Sequence, residues 1–404
     1  MMKPFGQLLD FDTALTTVLA NIHPVIAAEK VGLMGLSGRV LAEDIRSTLS
    51  IPPFARAAMD GYAVIAEDTF GAGRRNPRQL PLAGRIFAGD APVQTLQKGQ
   101  VVQIATGAPM PDGADAVVMV EETEKCGEEV AIFKAVYPGA NIGQIGEDIK
   151  KGELILKAGT VLDAGKIGVL ASQGLTEASV YVKPRVAVMP TGEEIAAAGN
   201  DLAPGQIYDI NSHTVAAVVQ QNGGEPVKMP IAEDKRDKLR SAIEAALEAD
   251  MVVISGGSSV GERDLMFGIL EELGKVLFHG IQVKPGKPTM FAVVRGKPVL
   301  GMPGYPTSCL INAHLLLAPA VKKMAGLAFD RKNAVDAVLS QSVPGSVGRR
   351  QFLPVRLIDG QAAPLFKESG AITATAEADG YLDIAPNVDI LEKGEAVKVF
   401  LFNG

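Results

Sequence analysis

Residues 185–195 read Arg-Val-Ala-Val-Met-Pro-Thr-Gly-Glu-Glu-Ile, and residues 251–264 read Met-Val-Val-Ile-Ser-Gly-Gly-Ser-Ser-Val-Gly-Glu-Arg-Asp. Each stretch opens on a short, β-branched apolar run and closes on a glycine-containing turn, the pattern of a buried strand that ends at a functional loop. Between them Asn211 or Ser212 can cap a helix through Val215–Val219 that stops at Gly223-Gly224, and Leu239, Ile243 and Leu247 stand four apart on a helix over about 235–249. Downstream, Leu265–Leu273 reads as a helix, Lys297–Met302 as a strand and Pro306–Met324 as one long helix. Strands alternating with helices of this length imply right-handed crossovers and a mostly parallel, doubly wound sheet covered on both faces.

The texture differs on either side. Phe11 to Ile22 carries apolar residues at near-helical spacing and Pro24 ends the pattern, giving one amphipathic helix that must pack on a later domain. From about 26 to 180 short apolar runs alternate with Gly and Pro (Gln100–Ile104, Ala116–Val120, Val130–Val136, Glu153–Leu156, Ala178–Val182), which reads as β-rich modules. Residues from about 330 to 404 return to short runs, at Ala334–Leu339, Phe352–Leu357, Tyr381–Ala385 and Ala396–Phe402, as in a small β domain. Length supports several cores: 404 residues at about 150 per domain make two or three. The 44 Gly and 25 Pro argue against a helical bundle.

Composition excludes several functions. A net charge of −7, no Trp and no basic–aromatic interleaving speak against nucleic acid. No window reaches 18 uninterrupted apolar residues, and Asp10 and Asp12 interrupt any leader-like run, so neither secretion nor a membrane span is expected. Cys126 and Cys309 form no metal-binding or disulfide pattern, which fits a reducing cytoplasm. His23, His213, His279 and His314 are scattered without ligand spacing or a Ser/Asp constellation, so neither a triad hydrolase nor thiol catalysis is expected.

In open α/β sheets ligands bind beyond the carboxyl ends of strands. Ser255, Gly256, Gly257 and Ser258 can cradle an anion with backbone N–H groups and hydroxyls, or simply make a tight turn; Asp264 is a ligand or a helix cap. Lys284 and Lys287 lie three apart on a Val-Lys-Pro-Gly-Lys-Pro segment stiffened by prolines, suited to a polyanion or merely solvated. Pro303 belongs to a Gly-Met-Pro-Gly-Tyr-Pro loop ahead of the long helix. Asp60 in Ala-Met-Asp-Gly-Tyr-Ala, Thr106 in Thr-Gly-Ala-Pro and Asp148 in Gly-Glu-Asp are turn-like alone, and acquire meaning only if they converge where a hard cation meets phosphates.

These motifs, taken in order, resemble the molybdopterin molybdenumtransferase family, that of MoeA and the gephyrin E domain. The match runs through Pro52-Pro53-Phe54, 58–63, Thr106-Gly107-Ala108, 146–149, 190–194, Gly205 to Asn211, Ser255 to Asp264, 284–288 and 303–306, then Gly348-Arg349-Arg350-Gln351-Phe352 and Ser369-Gly370-Ala371-Ile372. The resemblance implies a multidomain α/β protein: a MogA-like doubly wound domain, β-rich insert domains and a C-terminal β-barrel-like domain. Divided so, 1–25 is a helix packing on a later domain, 26–50 with 151–180 a connecting domain, 51–150 a β-rich arm, 181–328 the molybdopterin-binding α/β domain and 329–404 the C-terminal domain.

The implied reaction inserts molybdate, or tungstate, into adenylylated molybdopterin with Mg²⁺-dependent release of AMP. Carried over by motif, Asp60, Thr106, Glu194, Asp234 and Asp264 would be catalytic. Asp148, Glu194 and Asp264 would hold the metal. Ser255, Gly256, Gly257, Ser258, Lys284, Lys287, Pro303, Arg349 and Ser369 would bind substrates. The resemblance also implies a homodimer, supplied by a molybdopterin adenylyltransferase and delivering to a molybdoenzyme or cofactor-carrier protein. Two other classes remain: a MogA-like adenylyltransferase, which would make the adenylate from ATP, and a non-catalytic molybdopterin-binding scaffold. Three departures stand out: Gly143 where the family often has Arg, which removes a cation from the arm; Tyr305 for a frequent Asn; and Ala55 with Ala57 for polar residues.

Overall fold

The computed structural model describes residues 8–91, 95–256, 265–328 and 333–402. The chain divides into two compact units, one of Met1–Lys30, Gly38–Ala42 and Ser179–Gly404, the other of Val31–Ser37 and Glu43–Ala178.

In the first unit a six-stranded sheet runs in the order Glu225–Lys228, Arg185–Pro190, Met251–Ser255, Lys297–Met302, Met290–Val294, Gly274–His279. The first four strands are parallel to one another, and Met290–Val294 pairs antiparallel with both Lys297–Met302 and Gly274–His279. Alternate side chains enter opposite cores, as the two-residue period of a strand dictates. Val186, Val188, Val253 and Leu300 join a cluster with Phe11, Val18, Val215, Val219, Ile311 and Val321. Ala187, Met189, Val252, Ile254 and Val299 face Leu239, Ile243, Ile269 and Leu270 instead. Helices therefore cover both faces, the doubly wound arrangement expected from the alternating pattern. The amphipathic helix Phe11–Ala20 is the one expected near the N-terminus, capped by Asp10.

The expected single helix from 306 to 324 is instead Pro306–Asn312 and Ala318–Met324 joined through a π-helical turn at Ala313–Leu317, with Pro319 in the first turn after it. A ring that lacks an N–H opens the hydrogen-bond ladder where the wider turn forms.

The same unit ends in a closed five-stranded barrel. Arg350–Ile358 pairs with Gln361–Pro364 and Gly380–Ile384; Ala334–Leu339 pairs with Gln361–Pro364 and Ala396–Leu401; Ala396–Leu401 returns to Gly380–Ile384. Closure leaves no free barrel edge, around a core of Leu339, Val343, Val355, Ala362, Leu382 and Val399. Val283–Lys284 adds a short parallel strand to Arg350–Ile358.

The second unit is built on a sheet ordered Ala116–Met119, Gly61–Val64, Val101–Ile104, Arg78–Ile86, Glu129–Ile132, Thr123–Cys126, whose inner strands carry a core on each face. Gly61 is obligatory there: a Cβ would lie 1.9 Å from the Val118 carbonyl oxygen of the neighbouring strand. Among the described residues no helix is long and apolar enough to cross a membrane.

Candidate functional site

The parallel strands Arg185–Pro190, Met251–Ser255 and Lys297–Met302 end side by side, with Pro190 opposite Ser255 and Ser255 opposite Met302. Beyond their carboxyl ends opens a cleft of about 400 Å³ walled by Pro190, Ile195, Ile207, Tyr208, Pro288, Pro303 and Tyr305, with Thr191, Glu194, Asp209, Asn211, Ser255 and Gly256 as its polar lining. Its floor is hydrogen-bonded backbone: Thr191 N–H donates to the Ser255 carbonyl at 2.9 Å and Gly256 N–H to the Met302 carbonyl at 3.2 Å.

Gly256 must be glycine, with φ +95° and only 2.5 Å between a built Cβ and the Thr191 carbonyl oxygen. Gly192, at φ +138°, leaves room for the Glu194 carboxylate, which folds back to 2.7 Å from where a Cβ would stand.

Glu194 thus lies at the cleft, and its charge reaches Asp234. The Asp234 carboxyl is held above the ordinary range by desolvation first, then by the charges of Glu194 and Glu193. Asp209 accepts from the Ser212 backbone N–H at 3.0 Å and from its hydroxyl, fixing the start of the helix Asn211–Gln221. Asn211 in turn donates from Nδ2 to the Gly304 carbonyl at 2.8 Å, which ties that helix to the loop holding Pro303 and Tyr305.

The lysine loop is braced from inside. Lys284–Pro285 is cis and Gly286 has φ +101°. Asn312 Nδ2 donates to the Gly286 carbonyl at 3.1 Å and to Thr289 Oγ1 at 2.7 Å, while Thr289 Oγ1 donates to the same carbonyl at 2.8 Å. Asn312 and Thr289 are fully buried. Two segments of the barrel domain meet the α/β domain beside this loop and at the next helix. Lys284 pairs in register with Gln351, two residues after Arg349, and Thr307 N–H donates to the Ser369 carbonyl at 3.0 Å while its hydroxyl donates to Ala371.

In the second unit the exposed Asp60 receives the Thr106 backbone N–H and hydroxyl on one oxygen, at 2.7 and 2.9 Å. Those two bonds, the backbone one first, hold its carboxyl below the usual range. Asp148 is exposed on the 144–149 turn, its N–H bound to the Ile51 carbonyl at 3.0 Å. A Cβ at Gly143 would lie 3.3 Å from Glu147 Oε2, 3.5 Å from Arg56 Cγ and 3.7 Å from Arg56 Nε, so a carboxylate and an arginine both run alongside the position.

Three family models span the chain: the MoeA N-terminal region (domains I and II) over residues 9–174, the probable molybdopterin binding domain over 187–323 and the MoeA C-terminal region (domain IV) over 336–402. The chain belongs to the MoeA family. It is 36% identical to molybdopterin molybdenumtransferase 2 of Mycobacterium tuberculosis, over 95% of this chain and 97% of that one. It is 34% identical to a putative molybdopterin biosynthesis protein of Methanocaldococcus jannaschii, over 99% and 100%. A solved MoeA structure from Pyrococcus horikoshii superposes with a TM-score of 0.87 at 42% identity, covering 98% of this chain and all of that one.

Within the MoeA frame, Asp60, Thr106 and Asp148 fall in the N-terminal region; Glu194, Asp234, Ser255, Gly256, Lys284, Lys287 and Pro303 in the molybdopterin-binding region; Arg349 and Ser369 in the C-terminal region. The structure brings Glu194, Ser255, Gly256 and Pro303 to one cleft and couples Glu194 to Asp234. Asp60 and Thr106 form their own pair. Gly257, Ser258 and Asp264 lie outside the described residues.

Of the expected metal set, Asp264 lies outside the described residues, and Asp148 and Glu194 belong to different units; among the described residues no group of three or more Asp, Glu, His or Cys side chains is placed to hold an ion. The charges of Glu194 and Glu193 act on the Asp234 carboxyl, and carboxylates grouped in this way are the donor chemistry a Mg²⁺ ion takes together with substrate phosphates.

Sequence reasoning missed Asn312, Thr289 and Arg350. Asn312 had a signal, being the lone amide in the apolar helical run from Cys309 to Leu317. Arg350 was legible only as the second arginine of its motif.

Proposed function

We propose that this enzyme of molybdenum cofactor biosynthesis transfers molybdenum from molybdate, or tungstate, to the dithiolene of adenylylated molybdopterin with Mg²⁺-dependent release of AMP. The observation that carries this reading is the cleft at the carboxyl ends of three parallel strands in a chain of the MoeA family, whose relatives are named molybdenumtransferases. Its proline, isoleucine and tyrosine walls suit a planar heterocycle, and its glycine turns let backbone approach a phosphate.

A tetrahedral dianion needs cations and short donors. Lys284, Lys287, Arg349 and Ser369 supply them at the seam between the α/β domain and the barrel, where Lys284 pairs with Gln351 and Ser369 meets Thr307. Mg²⁺ would be held by Glu194 and Asp234 with Asp264 and Asp148 as further candidates, and when bound it supplies charge neutralisation at the phosphoanhydride. The protein itself positions the reactants and needs no nucleophile, in keeping with Cys309, whose thiol burial and Asp209 push up to about 12. Asp60, ionised and held by Thr106, and the loop of Gly257 and Ser258 complete the catalytic and binding assignments.

The working form we take to be a cytoplasmic homodimer, consistent with two unpaired cysteines, fed by a molybdopterin adenylyltransferase and drained by a molybdoenzyme or carrier. A nucleotide assay tests the reaction: with adenylylated molybdopterin, Mg²⁺ and molybdate the protein should release AMP, and with molybdopterin and ATP it should form no adenylate. The reverse outcome would make it an adenylyltransferase, and neither reaction would leave a scaffold. Sedimentation showing an active monomer at assay concentration would remove the dimer.

A further inference from the structure

We propose that Arg350 is a positioning residue for oxyanion binding, a latch that fixes the strand carrying Lys284 between the N-terminal segment and the barrel. The proposal rests on the reading that the seam around Lys284 and Arg349 takes the oxyanion.

The Arg350 guanidinium is fully engaged on one side. Nε and Nη2 donate to Asp383 Oδ1 and Oδ2 at 2.6 and 2.7 Å, a two-pronged pair, and Nη1 donates to Asp12 Oδ2 at 2.7 Å. Its carbon stands 5.1 Å from the Phe11 ring centroid and 5.7 Å from that of Phe352, two buried rings in edge contact at 4.9 Å. Asp12 and Phe11 belong to the N-terminal helix, Asp383 and Phe352 to the barrel. One side chain therefore joins two elements more than 300 residues apart in sequence.

The backbone of the same residue reaches a third element. Arg350 N–H donates to the Gln282 carbonyl at 2.9 Å, and Val283 and Lys284 pair with Arg350 and Gln351. Gln282 N–H donates to the Leu9 carbonyl at 2.7 Å, Gln282 Nε2 to the Leu8 carbonyl at 3.3 Å, and Leu9 N–H to the Gly280 carbonyl at 3.2 Å. The segment from Gly280 to Lys284 is thus held on one side by residues 8–9 and on the other by the barrel strand. Arg350 clamps those two flanking elements together.

The adjacent arginines divide the labour. Arg350 is paired, stacked and only partly exposed, whereas the side chains of Arg349 and Lys284 have no hydrogen-bond or ion-pair partner among the described residues. A committed guanidinium positions, and a free one binds. A lysine at 350 would keep the charge but lose the fork and the stacking.

The test compares half-saturating molybdate and half-saturating adenylylated molybdopterin in AMP release for wild type, Arg350→Lys, Asp383→Asn, Asp12→Ala and, in parallel, Arg349→Ala, with thermal unfolding as a check on folding. Arg350→Lys and Asp383→Asn should raise half-saturating molybdate about tenfold, the size of effect seen when a group that orients a ligating side chain is lost, with the adenylate dependence unchanged. Asp12→Ala, which removes only the exposed partner, should shift it less and in the same direction, and it decides the matter if the other two do not fold. Unchanged molybdate dependence in a folded Arg350→Lys or, failing that, in Asp12→Ala overturns the latch, as does an equal loss for both substrates. If Arg349→Ala alone shifts molybdate, the latch falls and the seam stands; if no variant shifts it, both fall.

Discussion

One oxygen of Asp60 receives both the backbone N–H and the hydroxyl of Thr106, at 2.7 and 2.9 Å. An exposed carboxylate held this way stays ionised well into acid, because both bonds favour its charged form. Asp60→Ala should lower turnover about a hundredfold, the lower range for one positioned acid–base or electrostatic group, with an unchanged melting temperature. Thr106→Val keeps the backbone bond and should lose less. Equal activity of Asp60→Ala and wild type in AMP release would reduce the pair to a turn.

Glu194 lies at the cleft and its charge helps hold the Asp234 carboxyl above its ordinary range, so removing the Glu194 charge should lower it. Glu194→Gln and Asp234→Asn should each cost about 2–4 kcal/mol of transition-state stabilisation, the range for one preorganised electrostatic group, and raise the Mg²⁺ concentration for half-maximal AMP release. A Mg²⁺ titration superimposable on that of wild type would remove these carboxylates from the metal site.

Asn312 is the brace of the lysine loop. Asn312→Ala leaves the Gly286 carbonyl short of a donor in a dry interior and should destabilise the protein by about 1–3 kcal/mol in urea unfolding, while weakening the response to molybdate. Gly286→Ala should do at least as much harm, since a Cβ would fall 2.0 Å from Asn312 Nδ2. Wild-type stability in both variants would contradict the bracing role.

His314 sits in the π turn with its ring centroid 4.6 Å from that of Phe402, and burial lowers its pKa to about 4. Between that value and the ordinary value near 6.5 the unfolded chain binds the extra proton, so stability rises with pH across this window and is fully present above it. Acidification from pH 7 to 4 should therefore cost about 3 kcal/mol through this group alone. His314→Phe should flatten that part of the stability–pH curve; an identical curve would show that another group is responsible.

The legible parts of the molecule were those specified locally. Val186 to Met189 and Val252 to Ile254 announce buried parallel strands, and Gly192 and Gly256 mark turns where only glycine fits. The strand Arg78–Ile86 escaped notice because Pro81 interrupts its run and a register irregularity falls between Leu82 and Gly84. Barrel closure, the Asn312 brace and the Arg350 contact with Asp12 depend on residues far apart in the chain, which no periodicity encodes.

Whether molybdate drives loss of AMP at a seam containing Arg349 is decided by AMP release followed against molybdate concentration in wild type and Arg349→Ala. Release should rise with molybdate in wild type, and Arg349→Ala should need a higher half-saturating molybdate with adenylate binding nearly unchanged; Ser369→Ala should behave likewise and Lys287→Ala should weaken both substrates. AMP release that ignores molybdate in wild type, or an Arg349→Ala enzyme that loses adenylate binding alone, would contradict molybdate-driven release at this seam.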